Sequence, residues 1–264
     1  MSRPLHVSRP MPSSPSSPLR VAVVTPYYKT PDEWLLQCHE SVMRQSYPCT
    51  HILVADGRPQ SCVDRLGAQH IVLPLRHADY GDTPRAVGSM SAVGQGFDAI
   101  AYLDADNWYD PDHIASLVEL HHSSGAAVVT SRRNYHRLDG SYMAECLSSD
   151  GENFCDTSCL MLTRAAFKIA PMWALMDPVG HPLDDRVMWY HIREAGLSRA
   201  HTGRATVGYR ATTAGHYRDM KEPVPEGARH SEDIRAAMEQ WVAKGYPPLL
   251  VKWWYRYPAK TAAK

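Results

Sequence analysis

Between residues 20 and 130 the sequence alternates apolar runs with helix-like segments, and this alternation limits the fold more than any other feature. Runs of buried-strand character lie at 19–24, 51–55, 71–75, 99–103 and 126–130. Segments with helix-start signals and helical spacing of apolar residues separate most of them. Strands and helices that alternate at such short intervals predict βαβ units. We therefore predict an α/β fold with a mostly parallel central sheet flanked by helices.

Polar residues follow three of these strands at the point where each strand ends. They are Thr25, Pro26 and Tyr27 after the first, Asp56 after the second, and Asp104, Ala105 and Asp106 after the fourth. In open α/β sheets, ligands bind beyond the carboxyl ends of the strands. The sequence therefore predicts one binding site at this edge of the sheet.

Asp104 and Asp106 are candidate metal ligands because two acids one residue apart at a strand end can converge on one cation. Mg²⁺ and Mn²⁺ prefer oxygen ligands and share them with phosphate. By itself the pair is also typical of a solvated turn or of a helix cap before Pro111. An apolar strand before the pair and a helix start after it favour the metal site. Such a cation stabilises the charge on the diphosphate leaving group of a nucleotide sugar.

Together these motifs resemble those of the GT-A glycosyltransferases, in particular glycosyltransferase family 2. The resemblance lies in the turn at 23–28, in Asp56 before Gly57, and in the motif at 103–107. It implies a GT-A fold, a UDP- or GDP-type nucleotide-sugar donor, and Mn²⁺ or Mg²⁺ as cofactor. It further implies the following roles: Pro26 and Tyr27 line the base pocket, Asp56 binds the base, Asp104 lies near the ribose and metal, and Asp106 is the main metal ligand.

The segment 81–88 departs from the family pattern, which commonly has an Arg-Asn pair there. Arg85 could still contact the diphosphate, because a guanidinium matches phosphate geometry. Asp82 could contact the base or ribose. The alternative is a capped helix start without a ligand contact, and the sequence leaves both readings open.

The acceptor side of the site is predicted from three segments. Asp184 and Asp185 stand at a helix start, and the resemblance implies that Asp185 is the catalytic base and Asp184 a supporting acid. An ordinary helix cap is the alternative. Asp156 and Thr157 resemble the family segment that reaches the acceptor, or else begin a strand. His216, one of 14 histidines, is a candidate third metal ligand.

The function predicted from these residues is inverting glycosyl transfer to a hydroxyl of a saccharide or lipid-linked acceptor, in cell-envelope glycan synthesis. A retaining enzyme of the same fold is the near alternative. A sugar nucleotidyltransferase is another, although the glycine-free loop at 25–30 argues against its phosphate-binding loop. A non-catalytic binding protein is disfavoured by the intact acids Asp104, Asp106 and Asp185.

Composition bounds the organisation and the partners. Lys plus Arg and Asp plus Glu both number 28, which argues against a nucleic-acid partner. Residues 1–19, rich in proline and serine, predict a disordered arm. Residues 20–222 are the predicted catalytic domain, with a nucleotide-sugar half at 20–130 and an acceptor half at 131–222. Residues 223–264 are a C-terminal helix and an aromatic tail.

The aromatic tail and the absence of targeting signals bear on location. The tail could rest on a membrane interface, which would suit a lipid-linked acceptor. Alternatively, it packs on the domain or on the second subunit of a homodimer. Without a signal peptide or an apolar run of membrane-spanning length, we predict a cytoplasmic protein, with peripheral contact at the inner face of the membrane as an extension. In that compartment the six cysteines are expected to be reduced.

Overall fold

The computed structural model describes residues 18–229, 234–247 and 249. Nearly all of the predicted arm, and the aromatic tail from residue 250, lie outside these residues. The strands are β1 (Val21–Tyr27), β2 (Cys49–Ala55), β3 (Gln69–Val72), β4 (Ala99–Tyr102), β5 (Trp108–Tyr109), β6 (Val128–His136), β7 (Tyr142–Glu145), β8 (Leu160–Thr163) and β9 (Arg199–Arg210). The α-helices are α1 (Asp32–Met43), α2 (Asp82–Gly94), α3 (His113–Ser124), α4 (Met172–Leu175), α5 (Asp184–Glu194), α6 (Ala214–Asp219) and α7 (Ile234–Ala243). The 3-10 helices are Val63–Arg65, Thr157–Cys159, Arg164–Ile169 and Pro178–Leu183.

Among the described residues, the strands form one nine-stranded sheet in the order β3-β2-β1-β4-β8-β6-β9-β5, with β7 paired to β6. The predicted parallel arrangement is confirmed for β3, β2, β1 and β4. Beyond β4 the sheet is mixed, because β8 runs antiparallel to both β4 and β6, whereas β6 and β9 are parallel. The GT-A architecture of a central sheet with flanking helices is therefore confirmed, with the four parallel strands at one end of the sheet.

β1 is buried along its whole length, as expected of a central parallel strand covered on both faces. Helix α2 packs on it at close range. An ideal Cβ added to Gly88 of α2 would lie 2.5 Å from Cγ1 of Val24 and 3.0 Å from Cγ2 of Val54. Glycine is therefore needed at residue 88 for α2 to approach β1 and β2 closely. This packing sets the position of the first turn of α2 at the carboxyl edge of the sheet.

The second half of the chain completes the sheet and the core. Strands β6 and β7 form a hairpin, and an irregular segment follows it up to residue 156. β9 is 12 residues long. Trp173 of α4 is fully buried and packs edge-on against Tyr102 of β4, with ring centroids 5.4 Å apart. All six cysteines are free thiols, as expected. No helix among the described residues is long and apolar enough to cross a membrane.

Candidate active site

The carboxyl ends of β1, β2 and β4 lie side by side at one edge of the sheet. The parallel registers pair Tyr27 with Ala55 and Val24 with Tyr102. Asp56 and the Asp104-Ala105-Asp106 turn directly follow these strands, so the polar strand ends that the sequence singles out do meet at one edge. The first turn of α2 and the start of α5 join them there through side-chain contacts.

The side chains at the end of β1 are more deeply buried than expected for residues that bind a ligand. Thr25 is fully buried and its Oγ1 lies 2.9 Å from Nε2 of His51, so its hydroxyl is not available to a nucleotide in this structure. This corrects the assignment of Thr25 to the nucleotide site. Tyr27 is also buried, with its hydroxyl 2.7 Å from Nε2 of His70. Pro26 is buried too and lies against Gly81. The ring of Tyr28, one residue further on, is half-buried under the guanidinium of Arg76, 4.2 Å from the ring centroid.

Asp56 organises the loop that leads into α2. Its carboxylate accepts hydrogen bonds from the backbone N–H of His77 at 2.8 Å and of Ala78 at 3.2 Å. The φ angles of Ala78, Tyr80 and Gly81 are 57°, 60° and 91°. Left-handed backbone at residues with a Cβ costs free energy and tends to cluster at functional sites. The loop 77–81 is thus a strained segment held by Asp56 beside the end of β1, and the base-binding role of Asp56 stays a prediction.

The turn after β4 fixes its two acids differently. The backbone N–H of Asn107 donates to the carbonyl of Asp104 at 3.0 Å and closes the turn. Asp104 is bound by side chains: Nη2 of Arg85 lies 2.7 Å from its Oδ1 and Oγ of Ser158 lies 3.3 Å from its Oδ2. No side chain of the described residues hydrogen-bonds the carboxylate of Asp106. Burial, followed by the charge of Asp104, raises the pKa of Asp106 to about 6.

Arg85 is the centre of a buried ion cluster. Its guanidinium contacts three carboxylates, those of Asp82 at 3.0 Å, Asp104 at 2.7 Å and Asp184 at 2.8 Å. Burial lowers the pKa of Arg85, but the three carboxylates raise it by more than burial lowers it. The side chain therefore stays charged. The sequence left open whether Arg85 contacts the diphosphate or belongs to a capped helix start. In this structure it bridges acids from three elements, and the diphosphate contact stays a prediction.

Asp82 is fully buried, and both of its oxygens are occupied. Oδ1 accepts from Arg85 and Oδ2 lies 2.7 Å from Nδ1 of His181. Burial raises the pKa of Asp82. The sequence left a contact of Asp82 with the base or ribose open, and this structure offers no surface of its carboxylate to a ligand. Its visible role is to hold Arg85 and His181.

Asp184 and Asp185 occupy the first turn of α5, as predicted, and they differ in surroundings. Oδ2 of Asp184 accepts from Arg85, and its Oδ1 accepts from the backbone N–H of Asp185 at 2.7 Å. Burial and the charge of Asp82 raise the pKa of Asp184 well above its usual range. Asp185 has a single side-chain partner, Nη1 of Arg186 at 3.1 Å from Oδ1. Both oxygens of Asp184 thus accept hydrogen bonds from within the protein. One oxygen of Asp185 remains free of hydrogen bonds from the described residues.

Asp156 and Thr157 belong to the segment that contacts the turn after β4, here called the metal motif (Asp104 to Asp106), through Ser158. Asp156 forms a buried ion pair with Arg133 and accepts a hydrogen bond from the backbone N–H of Ser158 at 3.0 Å. Burial raises the pKa of Asp156 to about 6, although Arg133 opposes this. Thr157 is also buried. Through Ser158, which contacts Asp104, this segment supports the metal motif. Direct contact of Asp156 or Thr157 with an acceptor stays a prediction.

His216 packs between two tyrosines. Its ring centroid lies 5.1 Å from that of Tyr135 and 5.3 Å from that of Tyr209, and its Nδ1 is 2.8 Å from Oγ1 of Thr213. Burial lowers the pKa of His216 to about 3, which keeps the imidazole neutral. A neutral imidazole suits metal ligation. Nevertheless, no cluster of three or more His, Cys, Asp or Glu side chains suited to a metal ion occurs in residues 18–229, 234–247 and 249.

The carboxylates of Asp104 and Asp106 still fit a cation whose other ligands come from a substrate. Mg²⁺ and Mn²⁺ at phosphate-transfer sites are held by one or two carboxylates, several waters and the substrate phosphates, rather than by an all-protein cage. Asp106 is partly exposed, and no side chain of the described residues hydrogen-bonds its carboxylate. Asp104 lies next to it. These two acids therefore match a divalent cation bound together with a diphosphate.

Three residues that the sequence did not single out take part in the site. Ser158 donates to Asp104 and accepts from Asn107 Nδ2 at 3.0 Å. His181 contacts Asp82. Arg229 is exposed, donates to Oγ1 of Thr212 at 2.8 Å, and its charge lowers the pKa of Asp106. An exposed guanidinium near Asp106 suits a diphosphate. Each of these residues is far in sequence from the residue it contacts, so no local sequence pattern indicates the contact. Their polar side chains are the one feature of the sequence that could have pointed to a role in the site.

Comparisons with known proteins bear on the family and on the fold. The family model described as Glycosyl transferase family 2 matches residues 22–161. The fold is similar to that of S. aureus TarS 1-349 in complex with UDP, with a TM-score of 0.56 and 9% identity, over 76% of this chain and 63% of that one. The same TarS fragment in complex with UDP-GlcNAc gives a TM-score of 0.53 and 9% identity, over 73% and 58%. The chain thus spans less than two thirds of these solved chains. No curated protein matches the sequence.

Proposed function

The chain belongs to glycosyl transferase family 2, and on that premise we propose that it transfers a glycosyl group from a nucleotide-diphosphate sugar to a hydroxyl of a saccharide or lipid-linked acceptor, with inversion at the anomeric carbon. One observation carries the proposal. Asp104 of the strand-end turn and Asp184 of the α5 start, 80 residues apart, bind the same guanidinium of Arg85. The turn that carries Asp104 and Asp106 and the acid pair of α5, Asp184 and Asp185, therefore lie close together at one edge of the sheet.

The donor side of the reaction is assigned to the turn after β4. Asp106, with Asp104 beside it, would hold Mn²⁺ or Mg²⁺, and when bound such an ion stabilises the negative charge of a nucleoside diphosphate leaving group. Arg229 adds a positive charge near Asp106. We place the base of the nucleotide near Asp56, Pro26 and Tyr28, where the strained loop 77–81 ends. The TarS structures contain UDP and UDP-GlcNAc, so a uridine donor is the first to test.

The acceptor side is assigned to the acid pair of α5. An inverting transfer needs a base that takes the proton of the attacking hydroxyl. Asp185 suits this role better than Asp184, because both oxygens of Asp184 are already bound by Arg85 and by the N–H of Asp185. That N–H contact also fixes the backbone of Asp185. Asp184 is accordingly assigned to orientation and Asp185 to proton removal.

A screen of nucleotide sugars tests this function. The enzyme is incubated with UDP- and GDP-sugars and Mn²⁺ or Mg²⁺, and release of the nucleoside diphosphate is measured. We expect turnover with at least one donor, a loss of at least 100-fold in kcat for Asp185→Asn, and full activity for Asp219→Asn, an exposed acid of α6. Retained activity in Asp185→Asn would remove the assigned base.

The products separate the alternatives. The anomeric configuration of the glycoside, read by NMR, distinguishes inversion from retention. Release of pyrophosphate together with formation of a nucleotide sugar would indicate a nucleotidyltransferase and contradict the proposal.

A cytoplasmic location is also proposed, with peripheral contact at the inner face of the membrane if the acceptor is lipid-linked. The proposed contact rests on aromatic residues 253–257, which lie outside the described residues. Co-sedimentation with anionic vesicles, compared between the full chain and a chain ending at residue 249, tests this contact.

A further inference from the structure

The segment just before the acid pair is held at both ends by side chains from other parts of the fold. It consists of Asp177 and the 3-10 helix Pro178–Leu183, and it leads directly into Asp184. A 3-10 helix has weaker hydrogen-bond geometry than an α-helix, so short pieces depend on outside contacts for their position. The position of the acid pair therefore depends on what contacts this segment.

One end of the segment is bound to the first turn of α2. Nδ1 of His181 lies 2.7 Å from Oδ2 of Asp82, and Oδ1 of Asp82 accepts from Arg85 at 3.0 Å. Arg85 in turn binds Asp184 at 2.8 Å. These contacts run from His181 through Asp82 and Arg85 to Asp184. Because His181 and Asp184 are three residues apart in the chain, the contacts close a ring that binds both residues to α2. Each link is a charge-assisted hydrogen bond in a buried setting, where such bonds are strong.

The other end is bound to α7 and to the residues after it. Asp177 accepts from Nζ of Lys244 at 2.7 Å and from the hydroxyl of Tyr246 at 3.1 Å. The buried Trp241 lies against Gly180, so closely that an ideal Cβ at residue 180 would be 2.9 Å from its ring. The segment is therefore enclosed between α2 on the nucleotide side and α7 on the C-terminal side.

We propose that His181 is a positioning residue for the acid pair, acting through Asp82 and Arg85 and without contacting substrate. This inference rests on the proposed function of Asp184 and Asp185. Asp184 accepts from the N–H of Asp185, so a displacement of the segment moves both acids. A shift of about 1 Å at a reacting group can lower a rate by about 100-fold. His181 thus acts on the orientation of Asp185, while Asp104 keeps its hydrogen bond to Ser158.

The test compares His181→Ala with His181→Asn, whose side-chain amide can place a donor near the position of Nδ1. His191→Ala is the matched control, because His191 is a half-buried histidine of α5 whose one ring contact among the described residues is with Tyr190. We expect His181→Ala to lower kcat at least tenfold and to leave KM for the nucleotide sugar within threefold. His181→Asn should recover most of kcat, and His191→Ala should match the wild type.

A second measurement does not depend on turnover. Hydrogen–deuterium exchange at 178–188 should accelerate at least tenfold in His181→Ala and stay unchanged in His191→Ala, with the exchange of β1 and β4 unaffected as a check on folding. Wild-type kcat in His181→Ala, or unchanged exchange at 178–188, would overturn the positioning role. Absence of transfer by the wild-type enzyme would instead overturn the proposed function, and the exchange result alone would then decide whether His181 holds the segment.

Discussion

Replacing Arg85 by methionine tests whether the ion cluster holds α2, the turn after β4 and the start of α5 together. The guanidinium is 5% exposed and contacts three carboxylates, of which Asp82 is fully buried. Removing one partner of a buried ion pair costs about 3–5 kcal/mol, because the remaining charge is left without compensation. We expect Arg85→Met to lose stability in this range at pH 8.

The pH dependence of this loss has a definite sign. Burial already raises the pKa of Asp82 and of Asp184 in the folded protein, and Arg85 opposes the rise in both. Without Arg85 these pKa values rise further above the unfolded values, so near neutral pH the folded state binds protons that the unfolded state does not. Stability of the variant should therefore increase as pH falls from 8 to 6, by about 1.4 kcal/mol per pH unit for each proton bound.

Urea unfolding followed by circular dichroism at pH 6, 7 and 8 measures both effects. Arg164→Met is the matched control, because Arg164 pairs with Asp98 at 2.7 Å but is 59% exposed. An exposed ion pair contributes less than about 1 kcal/mol. If Arg85→Met lost no more stability than Arg164→Met, or lost the same amount at every pH, the cluster would not be the buried charge network described above.

Two further outcomes concern stability. Burial lowers the pKa values of His51, His113 and His216 to about 3, so these groups stay neutral when folded but bind protons when unfolded below their ordinary value of about 6.5. Their stabilising contribution is complete above about pH 6.5 and is lost as pH falls toward 3, with a limiting slope of about 4 kcal/mol per pH unit for three protons. Acid titration of the unfolding free energy checks this, and a flat profile between pH 6 and 4 would contradict it. Gly88→Ala should lower stability by about 1–3 kcal/mol through the contact with Val24, whereas Gly67→Ala, which meets open space, should be close to neutral by thermal melting.

The sequence predicts the part of the candidate site that lies at the carboxyl ends of the strands. The parallel order of β1, β2 and β4 could be predicted from their apolar runs, and that order brings Asp56 and Asp104 to one edge. The sequence is less informative about side-chain direction. A strand buried on both faces has no alternation of polar and apolar residues, so nothing in the sequence indicated that Thr25 points toward His51.

The ion cluster could not have been predicted either. Arg85 binds acids 3, 19 and 99 residues away, and only the first of these separations corresponds to a local helical pattern. The same holds for β9, whose long pairing with β6 joins residues about 70 positions apart. Contacts of this range depend on the packed tertiary structure rather than on local propensity.

The proposed function depends on a divalent cation that Asp106 would share with a nucleoside diphosphate. Isothermal titration calorimetry of UDP and of GDP, each with Mn²⁺ and with excess chelator, tests this directly in the wild type and in Asp106→Asn. We predict that one of the two nucleotides binds the wild type at least tenfold more tightly with Mn²⁺, and that this enhancement is lost in Asp106→Asn. Equal affinity with and without Mn²⁺, or an enhancement that survives in Asp106→Asn, would contradict the account.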